Sequence, residues 1–222
     1  MLRGPNLWSR HTALEAIVTC DVNERSIDAI PQFETKIRER FPQLGSMRRG
    51  DSTDPLSQAH ALEYAALGLQ AQAGCPVTFS RTVQTIDKGV YQVVVEYIEE
   101  VVGRMAFDFA FALIQSTLND ATFDLTAALA ELGALYEDVR LGPSTGSIVD
   151  AAVQRNIPYR RMTEGSMVQF GWGSKQKRIQ AAETSDTSAI AEAIAQDKEL
   201  TKNLLTAAGV SVPIGEVVTS AD

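Results

Sequence analysis

Apolar residues in the first 140 positions follow two spacings, one typical of strands and the other of helices. From Ala13 to Cys20 they recur at every second position, which predicts a strand with one buried face. The segment from Val90 to Tyr97 is rich in β-branched and aromatic residues and predicts a second strand. Helical spacing predicts a short helix opened by Pro31 and three longer helices over residues 56–73, 99–118 and 122–139.

The pattern becomes shorter and more polar after residue 140. Leu141 to Ser147 is rich in glycine, proline, serine and threonine, which predicts a loop. The elements predicted beyond it are a helix over 148–153, strands over 157–162 and 167–172, a helix over 188–207, and a strand that opens at Val217. The side chains of the last helix that we expect to face a core are Ile190, Ile194, Leu204 and Leu205.

These elements predict an α/β chain of two parts. Residues 1–140 are expected to form an α+β domain, and residues 141–222 to begin a second domain. A final helix and strand cannot bury both of their faces by themselves. The second domain is therefore expected to continue beyond residue 222.

Charge is distributed unevenly along the chain. The 222 residues are 45% apolar and carry a net charge of −8, which is ordinary for a globular protein and argues against nucleic acid as a partner. Residues 155–178 nevertheless hold six basic side chains and one acid, a net +5 that leaves −13 in the rest of the chain. This favours an anionic small molecule or polymer as a ligand, although a solvated basic face would look the same.

The remaining bulk features indicate a cytoplasmic protein. Cys20 and Cys75 match no metal or redox spacing and are predicted to be reduced core thiols. The first residues contain no apolar stretch long enough for a signal peptide. The most apolar window, from Met105 to Ile114, is too short to span a bilayer, so no membrane partner is expected.

Three segments, with two shorter ones after them, resemble the cyanophycin synthetase family in the same order. The three are Leu2-Arg3-Gly4-Pro5-Asn6-Leu7-Trp8-Ser9, residues 141–149 (LGPSTGSIV) and residues 169–181 (QFGWGSKQKRIQA), and the shorter ones are residues 197–202 (DKELTK) and 208–213 (AGVSVP). The resemblance covers nearly the whole chain.

The resemblance implies a place in a large cytoplasmic, homo-oligomeric ligase. Such enzymes use ATP and Mg²⁺ to build a poly-aspartate backbone with arginine on each side chain. An N-terminal domain is followed by an ATP-grasp domain that adds aspartate and a Mur-ligase-like domain that adds arginine. Residues 1–140 resemble the first domain and residues 141–222 the beginning of the second. We expect no bound ATP or Mg²⁺ here, because the sequence has no G-x-x-x-x-G-K-[ST] loop and no paired carboxylates after a strand.

The best candidate ligand site is the segment that holds Gly142, Ser144, Thr145, Gly146 and Ser147. Glycine lets the backbone approach a ligand, and hydroxyls and N–H groups at a helix start attract anions. The resemblance implies that this segment holds the end of the growing polymer. Plain helix capping by a serine or threonine is the alternative.

Two basic residues, Lys175 and Arg178, extend this prediction. Arginine binds carboxylates through two parallel hydrogen bonds, whereas lysine acts as a point charge. They are expected to hold carboxylate or phosphate groups near the same helix start. A solvated turn is the alternative.

A third candidate is the pair His60 and Glu63, which share one helix face with Tyr64. Inverted zinc peptidases use H-x-x-E-H, and some members of the resembled family carry a similar pattern. Here tyrosine replaces the second histidine, Gly68 stands where we expect glutamate, and one histidine with a carboxylate such as Glu96 is a poor zinc site. The pair is predicted to be a vestigial hydrolytic site without metal, or simply a polar helix face.

Three functions remain open from the sequence. The chain is part of a cyanophycin-polymerising amide ligase that is catalytically incomplete alone, or a standalone module that binds cyanophycin, or a degenerate zinc-dependent hydrolase of that polymer. The expected partners are the polymer or its primer, and aspartate and arginine in the full enzyme.

Overall fold

The structure, a computed structural model, describes residues 1–3, 6–21, 26–47, 55–181, 183–215 and 218. The chain divides into two compact units, Met1–Arg140 and Leu141–Asp222. Both combine α-helices with an antiparallel sheet, which confirms the predicted α/β class. Gly4 and Pro5 of the first motif, and the strand predicted at Val217, lie outside the described residues.

The first unit contains one sheet and four α-helices in its described part. Its elements are β1 Ala13–Thr19, α1 Phe33–Arg40, α2 Gln58–Gln72, β2 Ser80–Gln84, β3 Val90–Glu96, α3 Glu100–Leu118 and α4 Leu125–Val139. The strands pair antiparallel in the order β1-β3-β2. Both predicted strands and all four predicted helices are confirmed. β2 escaped prediction because its sequence, Ser-Arg-Thr-Val-Gln, has only one apolar residue.

The core of the first unit lies between one face of this sheet and helices α2 and α3. Tyr91, Val93 and Val95 occupy every second position of β3, and their side chains are buried in this core, as the two-residue period of a strand requires. Leu132 of α4 is fully buried in the same core, which confirms the apolar stripe predicted for that helix. α2 ends where expected, since Gly74 follows it with a φ of +94°, a conformation that favours glycine.

Helix α3 is long and apolar enough to cross a membrane by length and composition alone. However, 44% of that apolar window is buried inside the protein. Val102, Ala106 and Leu113 lie in the same core as α2, so packing within the unit accounts for one face of α3, while Val101 and Phe111 remain exposed.

Both cysteines are free and buried, which confirms the prediction of reduced core thiols. Burial raises the pKa of the Cys75 thiol to about 11, and the nearby negative charge of Glu99 adds to the shift. A thiol with so high a pKa stays protonated near neutral pH and is a poor nucleophile.

The second unit is smaller and more polar. Its elements are α5 Pro143–Gln154, β4 Tyr159–Arg161, β5 Met167–Phe170, β6 Lys177–Gln180, β7 Glu183–Thr184, α6 Ala189–Gln196 and α7 Lys198–Ala207. The strands form an antiparallel meander in the order β4-β5-β6-β7. Its small core joins Val149 of α5 to Val168 and Ile179 on one face of the sheet. β6 was not predicted because its sequence, Lys-Arg-Ile-Gln, offers one apolar side chain to that face.

The single helix predicted over residues 188–207 is wrong in one respect, because it is two helices that meet at Asp197. The Asp197 carboxylate accepts a hydrogen bond from the backbone N–H of Leu200 at 2.9 Å, so it caps α7 instead of continuing α6. The expected core contacts are also wrong for most of the apolar side chains. Ile190 is 75% exposed, and Leu204 and Leu205 are exposed as well.

Candidate functional site

The segment predicted as a ligand-binding loop is mostly the first turn of α5. Gly142 is the N-cap residue and Pro143 occupies the first helical position, where its fixed φ and missing N–H are well tolerated. The loop prediction is therefore wrong from residue 143 onward. A helix start, with backbone N–H groups pointing outward, is nevertheless the feature that the anion-binding argument requires.

The three hydroxyl groups of this segment are not equivalent. Thr145 is buried, and its Oγ1 points to the carbonyl of Ala181, 3.5 Å away. The Ser147 hydroxyl donates to the Pro143 carbonyl at 2.8 Å, a bond within the helix. Ser144 is exposed, and its hydroxyl makes no hydrogen bond in the described part of the chain. Of the predicted trio, Ser144 alone presents its hydroxyl outward.

The two predicted basic residues lie in different places from the start of α5. Lys175 is exposed at the end of a short 3-10 turn, Gly173–Lys175. Arg178 lies on β6 next to Ile179, whose side chain packs against α5. Successive residues of a strand point to opposite faces, so Arg178 projects from the face away from α5. The structure thus separates Arg178 from the helix start that we expected it to join.

Strand pairing brings Arg178 instead to two residues that were not predicted as site residues. Gln169 lies opposite it on β5, and Arg160 lies opposite Gln169 on β4. Arg178 Nε donates to Gln169 Oε1 at 3.3 Å. Gln169 is the only polar residue of β5, which was a usable signal for it, but the pairing partner of Arg160 is not encoded locally.

The His60 side chain caps the helix on which it lies. Its Nδ1 accepts a hydrogen bond from the backbone N–H of Ser57 at 3.2 Å, and the Ser57 hydroxyl accepts one from the backbone N–H of His60. This reciprocal pair is a capping box with histidine in the usual place of glutamate. The Ser57 hydroxyl also lies 2.8 Å from Nδ1, so this nitrogen is engaged by the helix cap in either tautomer. The ring also meets Tyr91 edge-on, with centroids 5.8 Å apart.

The other residues of the predicted hydrolytic site belong to the interior of the first unit. Glu63 is 2% exposed, and Tyr64 packs against the core. A Cβ atom at Gly68 would lie 3.2 Å from the Phe41 ring, so that ring fills the position where a glutamate was expected. The Glu96 carboxylate accepts from the backbone N–H groups of Thr78 and Phe79, at 2.8 Å each, and is not directed to a metal.

No group of three or more histidine, cysteine, aspartate or glutamate side chains that could hold a metal ion occurs within the described residues. The polar features that the structure does bring together are the helix start of α5 and the Arg160–Gln169–Arg178 row in the second unit, and the capped His60 in the first.

We expect the purified chain to contain no stoichiometric zinc, and we expect the same of the Tyr64→His variant. Ser57 occupies Nδ1 of His60, which leaves one imidazole nitrogen, and Glu63 is buried in the interior of the unit, so three zinc ligands are not assembled. Metal analysis by plasma mass spectrometry after dialysis against zinc and then buffer measures this. Stoichiometric zinc in the variant but not in the parent chain would contradict the capping argument and show a vestigial metal site.

The fold and these contacts define the first unit as an α+β domain with a helix-covered antiparallel sheet. Residues 16–119 match the profile of the cyanophycin synthase-like N-terminal domain. This segment belongs to that family, as the sequence motifs had predicted. The match begins within β1 and ends just after α3, and it covers most of the elements that build the core of the unit.

Curated relatives resemble the chain beyond that domain. It is 36% identical to the cyanophycin synthetases of Trichormus variabilis and Geminocystis herdmanii, in both cases over 100% of the chain, and 34% identical to that of Synechocystis sp. over 98%. The aligned region is 26% of the first of these proteins and 27% of the other two. The chain thus spans about a quarter of the length of the curated relatives it matches.

Proposed function

We propose that this chain is the N-terminal portion of an ATP-dependent amide ligase that polymerises aspartate and arginine into cyanophycin, and that this portion grips the polymer without completing the chemistry. The observation that carries the proposal is the similarity to cyanophycin synthetases along the entire chain, combined with coverage of only about a quarter of their length. The first unit supplies the N-terminal domain, and the second corresponds to the opening of an ATP-grasp domain.

The chemistry of the described residues agrees with a binding role. Bond formation driven by ATP needs a phosphate-binding loop and carboxylates that hold Mg²⁺. The sequence has no G-x-x-x-x-G-K-[ST] loop, and the described residues form no group of three or more metal-binding side chains. The proposal therefore assigns ATP and Mg²⁺ to the longer enzyme, which would be cytoplasmic and homo-oligomeric, and assigns polymer contacts to this chain.

Within the proposal, the start of α5 receives the carboxylate end of the polymer. The backbone N–H of Ser144 has no partner earlier in the helix, because the first turn has none to offer, and the Ser144 hydroxyl is exposed beside it. Gly142 and Gly146 keep side chains away from that end. The positive end of the helix dipole adds to the attraction of an anion.

The direct test is calorimetric titration of the folded 222-residue chain with soluble cyanophycin, together with an assay of ATP consumption with aspartate and primer. We expect saturable polymer binding and no ATP consumption by the chain alone. In its natural polypeptide, the same sequence should support aspartate- and primer-dependent ATP consumption. Turnover by the chain alone, or no activity in the natural polypeptide, would overturn the proposal.

A matched pair of serine variants tests the helix start. Ser144→Ala should weaken polymer binding severalfold, because it removes an exposed hydroxyl from the proposed site. Ser147→Ala removes a hydroxyl that is already bonded to the Pro143 carbonyl and should bind as the parent chain does. Equal binding by all three proteins would show that the polymer end lies elsewhere.

A further inference from the structure

The row formed by Arg160, Gln169 and Arg178 crosses three strands on one face of the second sheet. The strand register aligns Arg160 with Gln169 and Gln169 with Arg178. Val168 and Ile179, their neighbours along the strands, point to the opposite face and pack against Val149 of α5. The row therefore lies on the face that α5 does not cover, with its outer members two strand spacings, about 10 Å, apart.

The middle residue of the row holds one arginine in position. Gln169 is only 8% exposed, although both arginines beside it are exposed. Its Oε1 accepts from Arg178 Nε at 3.3 Å, and its Nε2 lies 3.5 Å from the Gly171 carbonyl. The edge nitrogen of Arg178 is thus engaged, while its two terminal nitrogens have no partner among the described residues.

Other basic side chains of the 155–178 segment are engaged within the protein. Lys177 pairs with Asp186 at 2.6 Å, Arg155 donates to the Ala151 carbonyl at 2.7 Å, and Arg161 donates to the Gly165 carbonyl at 3.0 Å. Arg160 has no ion pair or hydrogen bond in the described part of the chain. Lys177 is thus neutralised by an acid, whereas the two arginines of the row have no acidic partner among the described residues and lie side by side on one face.

One acid, Glu183, lies on the same face as the row. Glu183 lies opposite Gln180, two pairs further along β6 and β7 than Arg178, and makes no ion pair with either arginine within the residues described. Beyond Arg178, the next position across the sheet is Ser185, whose hydroxyl lies 3.5 Å from the Arg178 backbone N–H. The row itself thus presents two guanidinium groups beside the neutral side chains of Gln169 and Ser185, with Glu183 further along the same face.

We propose that this row binds two carboxylates of one cyanophycin chain, a step that rests on the proposed function and specifies its ligand contacts. Each arginine of that polymer is joined through its amino group, so it keeps a free carboxylate. A guanidinium matches a carboxylate through two parallel hydrogen bonds, whereas it would meet the polymer's own guanidinium groups with repulsion. The sheet holds the two arginines about 10 Å apart, so they bind carboxylates on different residues of the polymer.

The test compares the double variant Arg160→Gln/Arg178→Gln with a control that loses the same charge elsewhere in the second unit, Arg155→Gln/Lys198→Gln. Titrations with soluble cyanophycin and with poly-L-aspartate are made on folded 222-residue chains, whose folding is checked by circular dichroism. We expect the double variant to bind both polymers about tenfold more weakly or worse, and to lose part of the salt dependence. The control should bind as the parent chain does.

Each other outcome is decisive. If the double variant binds like the parent chain, or if the control is weakened equally, the row is not the carboxylate site, while polymer binding itself stands. If the parent chain binds poly-L-aspartate but not cyanophycin, and the double variant loses that binding, the proposed function fails and the carboxylate row stands. Failure of the parent chain to bind either polymer overturns both. Stronger competition by tripolyphosphate than by oligoaspartate would make the row a phosphate site and overturn the inference.

Discussion

Replacing Glu96 with alanine is expected to lower the free energy of unfolding by about 2–5 kcal/mol, the range for buried hydrogen-bonded groups whose partners are left behind. Glu96 is 2% exposed at the end of β3. Its Oε2 accepts from the backbone N–H groups of Thr78 and Phe79 at 2.8 Å each, and its Oε1 lies 3.5 Å from His11 Nδ1. Alanine would leave both N–H groups without an acceptor.

Two further variants show whether the hydrogen bonds cause this loss. Glu96→Gln keeps one oxygen that can accept from both N–H groups and should cost less than alanine. Glu137→Ala removes an exposed carboxylate that pairs with Arg140 three residues away and should change stability by about 0.5 kcal/mol or less. Urea unfolding followed by circular dichroism measures all three. A Glu96→Ala loss no larger than that of Glu137→Ala would contradict the role assigned to this carboxylate.

Replacing Gly103 with alanine is expected to destabilise the first unit by about 2 kcal/mol, because the new methyl group overpacks a filled space. Gly103 lies inside α3, and an added Cβ would lie 2.6 Å from Tyr97 Cβ, an atom close to the backbone that has little freedom to move. This cost exceeds the gain of about 1 kcal/mol that alanine brings over glycine in a helix.

A second helical glycine provides the matched control. Gly133 lies inside α4, and an added Cβ there would meet no atom within 4 Å. Gly133→Ala should therefore stabilise the chain by about 0.5–1 kcal/mol through helix propensity alone. Thermal unfolding of both variants gives the comparison. Stabilisation by both substitutions would show that the contact between α3 and Tyr97 adjusts without cost.

The sequence was a good guide to the first unit and a weaker one to the second. The strand at 90–97 and the apolar stripe of α4 were predictable because each buries one continuous face, and burial imposes a period on the sequence. In the second unit the elements are short and the core is small, so few positions carry a periodic signal. The sequence pattern around Pro143 predicts a loop, although proline is also common at the first position of a helix, where the structure places it.

At the candidate site too, the sequence revealed some features and only the structure revealed others. The motif in residues 141–149 was visible in the sequence. The different hydrogen bonding and exposure of the Ser144, Thr145 and Ser147 hydroxyls were not. Whether a hydroxyl points outward or to a carbonyl depends on where the helix begins and on which strand end lies beside it. The capping role of His60 was hidden for a related reason, since a histidine in a capping box replaces the residue type that signals one.

By itself, the sequence determined the class of fold, the family of the first unit and the basic character of residues 155–178, because apolar period, motif order and charge are properties of local runs of residues. Tertiary structure alone decided which polar side chains meet. Arg160 and Arg178 are 18 positions apart and become neighbours of Gln169 only through the register of three strands. Register is set by the burial of Val168 and Ile179 on the other face, a long-range packing requirement that no local pattern encodes.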